Sequence, residues 1–176
     1  MELNPYFLNN ESLLSVMQVT PTATAIHVSE DAVIQFANDT MLKIWGKDQQ
    51  VIGKSLAEAL PELKGQPFID MFKRVWNEGL TIKGSDTAAT LNIDGILKTF
   101  YFDFEYRAIK NKAGDVICIL HTAIDVTDRF LKQEAERLST EKQEALAREQ
   151  ALNEELAATN EELSAPNDEL LTSQET

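Results

Sequence analysis

Few side chains in this sequence are suited to catalysis or metal binding. The chain holds two histidines, His27 and His121, and one cysteine, Cys118. A single cysteine excludes an internal disulfide framework and a cysteine metal cluster. Both histidines fall in predicted strands, where a lone histidine is more often structural or exposed than a ligand to a metal or haem. We find no acid/base pair and no glycine-rich nucleotide-binding motif beside them, so the sequence predicts no enzyme.

The acidic charge of the chain narrows the classes of partner. The formal net charge is −13, and residues 129–176 hold 5 basic and 12 acidic residues. An acidic surface repels both nucleic acid and anionic membranes. The sequence contains no run of about 18 apolar residues, and residues 1–5 lack the features of a secretory signal. We therefore expect a cytoplasmic protein that binds no nucleic acid and does not insert into a membrane.

Alternating and helical patterns predict one domain over residues 21–128, preceded by a helical flank over residues 1–20. The flank is predicted as a helix over 9–19 with Asn10 as its N-cap. Strands are predicted over 23–29, 32–37, about 86–93, about 100–107 and 116–126, with short helices after Asn38 and Ser55 and a longer one over 66–78. Two strands, short helices and then three strands predict an α+β domain. Its five-stranded antiparallel sheet would carry the helices on one face.

Aromatic residues concentrate on one face of the strand near residue 100, where every second residue from Phe100 to Tyr106 is aromatic. They would lie between the helices and the inner face of the sheet, where a ligand pocket could form. The candidate pocket residues are Phe36, Asn38, Trp45, Phe72, Phe102, Phe104, Tyr106 and Leu120. The alternative, which the sequence favours, is that these aromatic side chains simply fill the core.

The sequence pattern changes at Asp125. Thr127 or Asp128 can cap a helix that begins near Arg129. Asp and Thr side chains also form hydrogen bonds with nearby backbone groups, which would fix the angle between the last strand and this helix. We therefore assign Asp125, Thr127 and Arg129 to a junction between the sheet and the helix.

Apolar residues repeat every seven positions beyond the junction, which is typical of a coiled coil. The predicted dimer seam contains Leu131, Leu138, Leu152, Leu156 and Leu163. Lys142 and Glu149 interrupt this seam. Pro166 is expected to kink or end the helix, so we predict a helix from about 128 to about 165. Residues 129–176 form the third segment of the chain, a coiled-coil linker. A helix this long and polar favours self-association, so we expect a homodimer.

Several passages, in this order, resemble the PAS family of sensor domains over roughly residues 15–129. They are Ile34-Gln35-Phe36-Ala37-Asn38, Trp45-Gly46 followed by Val51-Ile52-Gly53-Lys54-Ser55, Tyr101-Phe102-Asp103-Phe104-Glu105-Tyr106 followed by Gly114-Asp115-Val116, and Asp125-Val126-Thr127. The repeated Asn-Glu-Glu-Leu passages of the tail resemble helical linkers that precede histidine-kinase cores. Each motif alone is weak, but the ordered set is specific.

The resemblance implies a sensory input module that detects a small ligand or a partner. It would act through a dimeric helix on an output domain of the same polypeptide, such as a histidine kinase. The alternative is a coiled-coil dimerisation or scaffold module with a ligand-free cap. Flavin photoreceptors of the family resemble each other at an Asn-Cys-Arg-Phe motif, and residues 56–61 contain no cysteine. Haem sensors use a histidine on the longer helix, and residues 66–78 contain none. The sequence therefore does not identify a cofactor, and we expect neither covalent flavin nor haem.

Overall fold

A computed structural model describes the backbone of residues 9–172 and the side chains of residues 9–161. One compact unit ends at Phe130 and a second begins at Leu131. The strands of the first unit are β1 (Ala23–Val28), β2 (Val33–Ala37), β3 (Thr81–Ile93), β4 (Ile96–Lys110) and β5 (Val116–Asp125). They form one antiparallel sheet in the order β2-β1-β5-β4-β3. The predicted α+β fold is confirmed, and β5 lies in the centre, as its apolar sequence indicates.

Short helices accompany the strands of the first unit. They are α1 (Asn10–Gln18), α2 (Asp39–Trp45), α3 (Leu56–Ala59) and α4 (Phe68–Glu78), with single 3₁₀ turns at Gln49–Val51 and Pro61–Leu63. The core packs α2 and α4 against the central strands. α1 buries none of its own residues.

The helix ends follow local rules that the sequence contains. Asn38 caps α2, Gly46 ends it in the left-handed conformation, and Ser55 and Glu58 form a capping box on α3. The N-cap of α1 is Asn9 rather than the predicted Asn10, because the Asn9 side chain accepts a hydrogen bond from the Ser12 backbone N–H. Two adjacent asparagines satisfy the same rule, so the residue types do not distinguish them.

Two glycines with similar backbone conformations should differ in their tolerance of alanine. Gly46 has φ 61° and Gly53 has φ 84°, so a side chain strains both by about 1–2 kcal/mol. A Cβ at Gly46 would lie 2.6 Å from the Ile93 Cδ1 atom and 3.2 Å from the Asn92 carbonyl oxygen, whereas a Cβ at Gly53 meets nothing within 4 Å. We expect Gly46→Ala to lower the free energy of unfolding by about 1 kcal/mol more than Gly53→Ala in urea titrations. Equal losses would contradict the packing of Gly46 against β3.

The long helix α5 runs from Thr127 to Thr172 without interruption. The predicted end near residue 165 is therefore wrong, because Pro166 lies inside the helix. A proline removes one helical N–H donor and displaces the carbonyl four residues earlier, which a helix can accommodate by bending. No helix among the described residues is long and apolar enough to cross a membrane.

Candidate functional site

A small cavity lies inside the core, between the inner face of the sheet and the helices. Its volume is about 50 Å³. Most of its walls are apolar, and the two polar side chains that line it are Tyr106 and His121. Ligand pockets of drug-sized molecules measure roughly 300–1,000 Å³, so this cavity has room for only a few non-hydrogen atoms.

Half of the predicted pocket residues line this cavity. Trp45, Phe102, Phe104 and Tyr106 do so. Phe72 is completely buried but lies behind Tyr106, with ring centroids 4.1 Å apart. Whether these residues bind a ligand stays a prediction.

Phe36 and Leu120 do not line the cavity, because they lie on the outer face of the sheet. Both are register partners of Ile26, whereas the neighbouring Ile34 and Ile119 are fully buried on the inner face. Successive residues of a strand point to opposite faces, so the assignment of Leu120 is off by one residue from the buried Ile119. Phe36 is two residues from Ile34, and the irregularity in the pairing of β1 with β2 places the two on opposite faces.

Asn38, one of the candidate pocket residues, has a structural role instead. Its completely buried side chain accepts hydrogen bonds from the backbone N–H groups of Thr24 and Met41, at 3.0 and 2.9 Å. Its amide donates to the carbonyl oxygens of Met17, Thr20 and Thr22, at 3.4, 3.1 and 2.8 Å. The amide therefore joins α2, β1 and the segment after α1, and its hydrogen-bonding capacity is fully used.

The two histidines form a buried pair that the sequence reading did not predict. The Nδ1 atom of His27 lies 3.1 Å from the carbonyl oxygen of Ala32, and its Nε2 atom lies 3.4 Å from Nδ1 of His121. A carbonyl only accepts, so the proton of His27 is on Nδ1, and its Nε2 accepts from the Nδ1–H of His121. In this assignment Nε2 of His121 carries no proton, so it can accept a hydrogen bond, and His121 is one of the residues that line the cavity. The alternation within each strand is a signal that a histidine points inward, but the pairing of β1 with β5, which brings the two together, comes only from the structure.

The buried histidine pair is electrically neutral near pH 7. Burial lowers the pKa of His27 to about 4, and burial together with the neighbouring His27 holds the pKa of His121 well below its usual value. Burial also raises the pKa of Tyr106. The cavity therefore offers uncharged hydrogen-bonding groups, and residues 9–161 contain no cluster of three potential metal ligands.

Asp125 and Thr127, two of the assigned junction residues, form hydrogen bonds where β5 ends and α5 begins. The Asp125 carboxylate accepts a hydrogen bond from the Thr127 backbone N–H at 2.9 Å, and the Thr127 hydroxyl accepts one from the Tyr101 backbone N–H at 2.9 Å. The Val126 N–H donates to the Tyr101 carbonyl at 2.8 Å. Thr127 thus bonds to β4 rather than capping α5, so its predicted capping role is corrected.

Arg129 binds the first turn of α5 to β3 and β4 as well. Its guanidinium donates to the carboxylates of Asp86 and Asp103, at 2.7 and 3.1 Å. The Asp86 backbone N–H also donates to Asp103, which lowers the pKa of the Asp103 carboxyl, with Arg129 adding to the effect. The ring of Phe130 stacks on Tyr101 at a centroid distance of 3.8 Å. We call Tyr101, Asp103, Asp125, Thr127 and Arg129 the junction clamp.

The predicted seam residues lie on α5 beyond the junction. Leu131, Leu138, Leu152 and Leu156 are exposed within the chain. Leu163 lies outside the residues whose side chains the structure describes. Their role in a dimer stays a prediction.

Comparisons with known proteins identify the family of the core. Residues 19–131 match the family model described as PAS fold. No curated protein sequence matches the chain.

Three solved structures show the same fold at low sequence identity. An RNA-binding Light-Oxygen-Voltage receptor is 17% identical with a TM-score of 0.57, covering 81% of this chain but only 41% of the receptor. The PAS domain of Bordetella pertussis BvgS is 18% identical with a TM-score of 0.51, covering 74% of this chain and 96% of that domain. The PAS domain of the fruit-fly ELK potassium channel is 16% identical with a TM-score of 0.51, covering 69% and 99%. The family match covers more than half of the chain and includes both the cavity and the junction clamp, so the chain belongs to the PAS-fold family.

Proposed function

We propose that this chain is a sensory input module that transmits a change in its core to an output domain through α5. The observation that carries the proposal is the double role of β4. Its inward residues Phe102 and Phe104 line the cavity, while its outward residues Tyr101 and Asp103 hold the first turn of α5. Cavity and helix therefore share one strand.

The geometry of a strand supports this coupling. Neighbouring residues on β4 point to opposite faces but share one backbone, so a displacement of Phe102 also displaces Tyr101 and Asp103. Two hydrogen bonds and a stacked ring connect Tyr101 and Asp103 to Thr127, Arg129 and Phe130. Occupation of the cavity, or binding of a partner to the core, would then change the orientation of the helix start.

The signal and the output follow from the sequence resemblance. The signal would be a small ligand or a protein partner, and the output would be a histidine kinase in the same polypeptide, because the Asn-Glu-Glu-Leu repeats of α5 resemble linkers of such kinases. The helix would act as part of a homodimer in the cytoplasm. The alternative, a coiled-coil scaffold with a passive core, is supported by the small volume of the cavity.

Breaking the junction clamp should separate the core from the output without unfolding the core. Thr127→Val removes the acceptor of the Tyr101 N–H, and Arg129→Gln removes two exposed ion pairs, so each should change the free energy of unfolding by about 1 kcal/mol or less. The full chain would be fused through α5 to a histidine-kinase core, and autophosphorylation would be measured with and without Ala89→Leu, which fills the cavity. We expect Ala89→Leu to change the kinase rate in the intact fusion and not in the Thr127→Val fusion.

Arg137 provides the matched control on the same helix. It pairs with Glu134 and Glu141 on the exposed surface of α5 and is not a residue of the junction clamp. Arg137→Gln should therefore leave the response to Ala89→Leu intact. If Ala89→Leu leaves the kinase rate of the intact fusion unchanged, the core is a passive cap and the scaffold function is favoured. If the Thr127→Val and Arg129→Gln fusions still respond to Ala89→Leu, the signal does not pass through the junction clamp.

A further inference from the structure

The exposed face of α5 contains two charges within an apolar stripe. Leu131, Leu138, Ala145 and Leu152 are seven residues apart, and Ala135, Lys142, Glu149 and Leu156 form a second series four residues later. In a heptad, d is followed by a after four residues, so the first series occupies d positions and the second occupies a positions. Lys142 and Glu149 are therefore a residues.

Neither of these charged a residues has an ion pair within the described part of the chain. The salt bridges of this region join Arg137 to Glu141 and Arg148 to Glu144, on the flanks of the stripe. A charged residue in a coiled-coil seam is costly unless it is paired. A partner that packs on this face of α5 must therefore supply a negative group near Lys142 and a positive group near Glu149.

A second copy of the same helix supplies both groups in only one simple arrangement. The residue before Lys142 is Glu141, and the residue before Glu149 is Arg148, so each charged a residue follows a g residue of opposite sign. In a parallel, in-register pair, an a side chain enters a hole that includes the g residue one position earlier on the facing helix. In an antiparallel pair g faces g, and this adjacency is lost.

We infer that α5 pairs with a second copy of this chain in parallel and in register, with Lys142 against Glu141 and Glu149 against Arg148 of the other copy. This inference rests on the dimeric helix of the proposed function and adds its orientation, register and selecting contacts. Each dimer contains four such cross-helix pairs. Leu131, Leu138, Leu152 and Leu156 supply the apolar layers on either side of them.

Charge exchange in the full chain tests the register. Lys142→Glu places a glutamate against Glu141 of the other copy, and we expect the dimer dissociation constant to rise by about tenfold or more in sedimentation equilibrium. The double variant Glu141→Lys with Lys142→Glu has the composition and net charge of the wild type and restores both pairs, so its dissociation constant should return to near the wild-type value. If the double variant dimerises as weakly as Lys142→Glu, or if Lys142→Glu has no effect, the register is wrong.

Disulfide trapping tests the orientation independently. In a Cys118→Ser background, Leu138→Cys places two cysteines in the same d layer of a parallel, in-register pair, where their Cα atoms come within the distance that a disulfide requires. We expect a covalent dimer under oxidation, and none from Ala147→Cys at an outward f position. A monomer at all concentrations, or equal trapping at both positions, overturns the inference. These experiments measure only dimer formation. The proposed sensory function is tested separately by the kinase rate of the Thr127→Val fusion, so the failure of one proposal can be distinguished from the failure of the other.

Discussion

Acidification from pH 6.5 to pH 4 is expected to destabilise the core, by an amount approaching about 3 kcal/mol from His27 alone. His27 is completely buried, and burial lowers its pKa to about 4. Above pH 6.5 the imidazole is neutral in both the folded and the unfolded chain. Between pH 6.5 and 4 the unfolded chain binds a proton that the folded core excludes, so the free energy of unfolding falls as the pH falls. His121, whose pKa is also lowered, adds to the loss in the same direction.

Urea titrations at a series of pH values measure this effect. The chain has no other histidine. The carboxyls of Glu58, Asp103 and Glu105 have lowered pKa values, so their stabilising contributions begin to be lost only as the pH falls below about 5, and the histidines are measured most cleanly between pH 6.5 and about 5. His121→Asn retains an N–H donor near the position of Nδ1 but does not titrate. We expect this variant to be less stable at pH 7 and less sensitive to acid. An unchanged slope between pH 6.5 and 4 would show that the histidines are not the buried titrating groups.

Asn38→Asp is expected to lower the free energy of unfolding by about 3 kcal/mol or more, although the two side chains have the same shape. The amide nitrogen of Asn38 donates to three backbone carbonyl oxygens, and an aspartate would direct an oxygen at all three. The change therefore removes three hydrogen bonds and buries a charge without a partner. Thermal and urea unfolding of the full chain would measure the loss.

Asn9→Asp is the matched control, because Asn9 caps α1 in an exposed position and only accepts a hydrogen bond. Asp and Asn are equally good N-caps, and a negative charge is favourable at a helix N-terminus. We expect Asn9→Asp to change the free energy of unfolding by less than about 0.5 kcal/mol. A similar small effect at Asn38 would mean that its amide does not hold α2 and β1 together.

Together, the two buried polar sites show how this core is built. Asn38 joins the first helices to β1, and the histidine pair joins β1 to β5. Both sites are buried and neutral, so they stabilise the sheet without charge. The cavity adjoins His121, whose strand ends at the junction clamp four residues later.

Local patterns in the sequence determined the fold and the ends of α2. Alternating residues define strands, and capping side chains and left-handed glycines act within a few residues of their own positions, so no distant contact is needed to interpret them. The bond from the Thr127 N–H to Asp125 belongs to this class, because it is made within the junction itself, whereas the bond between the Thr127 hydroxyl and Tyr101 spans 26 residues. The ordered motifs were also sufficient to identify the family.

Only the tertiary structure decided which side chains meet across the sheet. A bulge between Ile26 and His27 shifts the pairing of β1 with β2, and this register places Phe36 outside and Ile34 inside. The contacts between His27 and His121 and between Arg129 and Asp86 join residues 94 and 43 positions apart. Strand register and such distant pairings depend on how whole elements pack, and a shift of one residue exchanges the two faces of a strand, so local sequence patterns do not contain them.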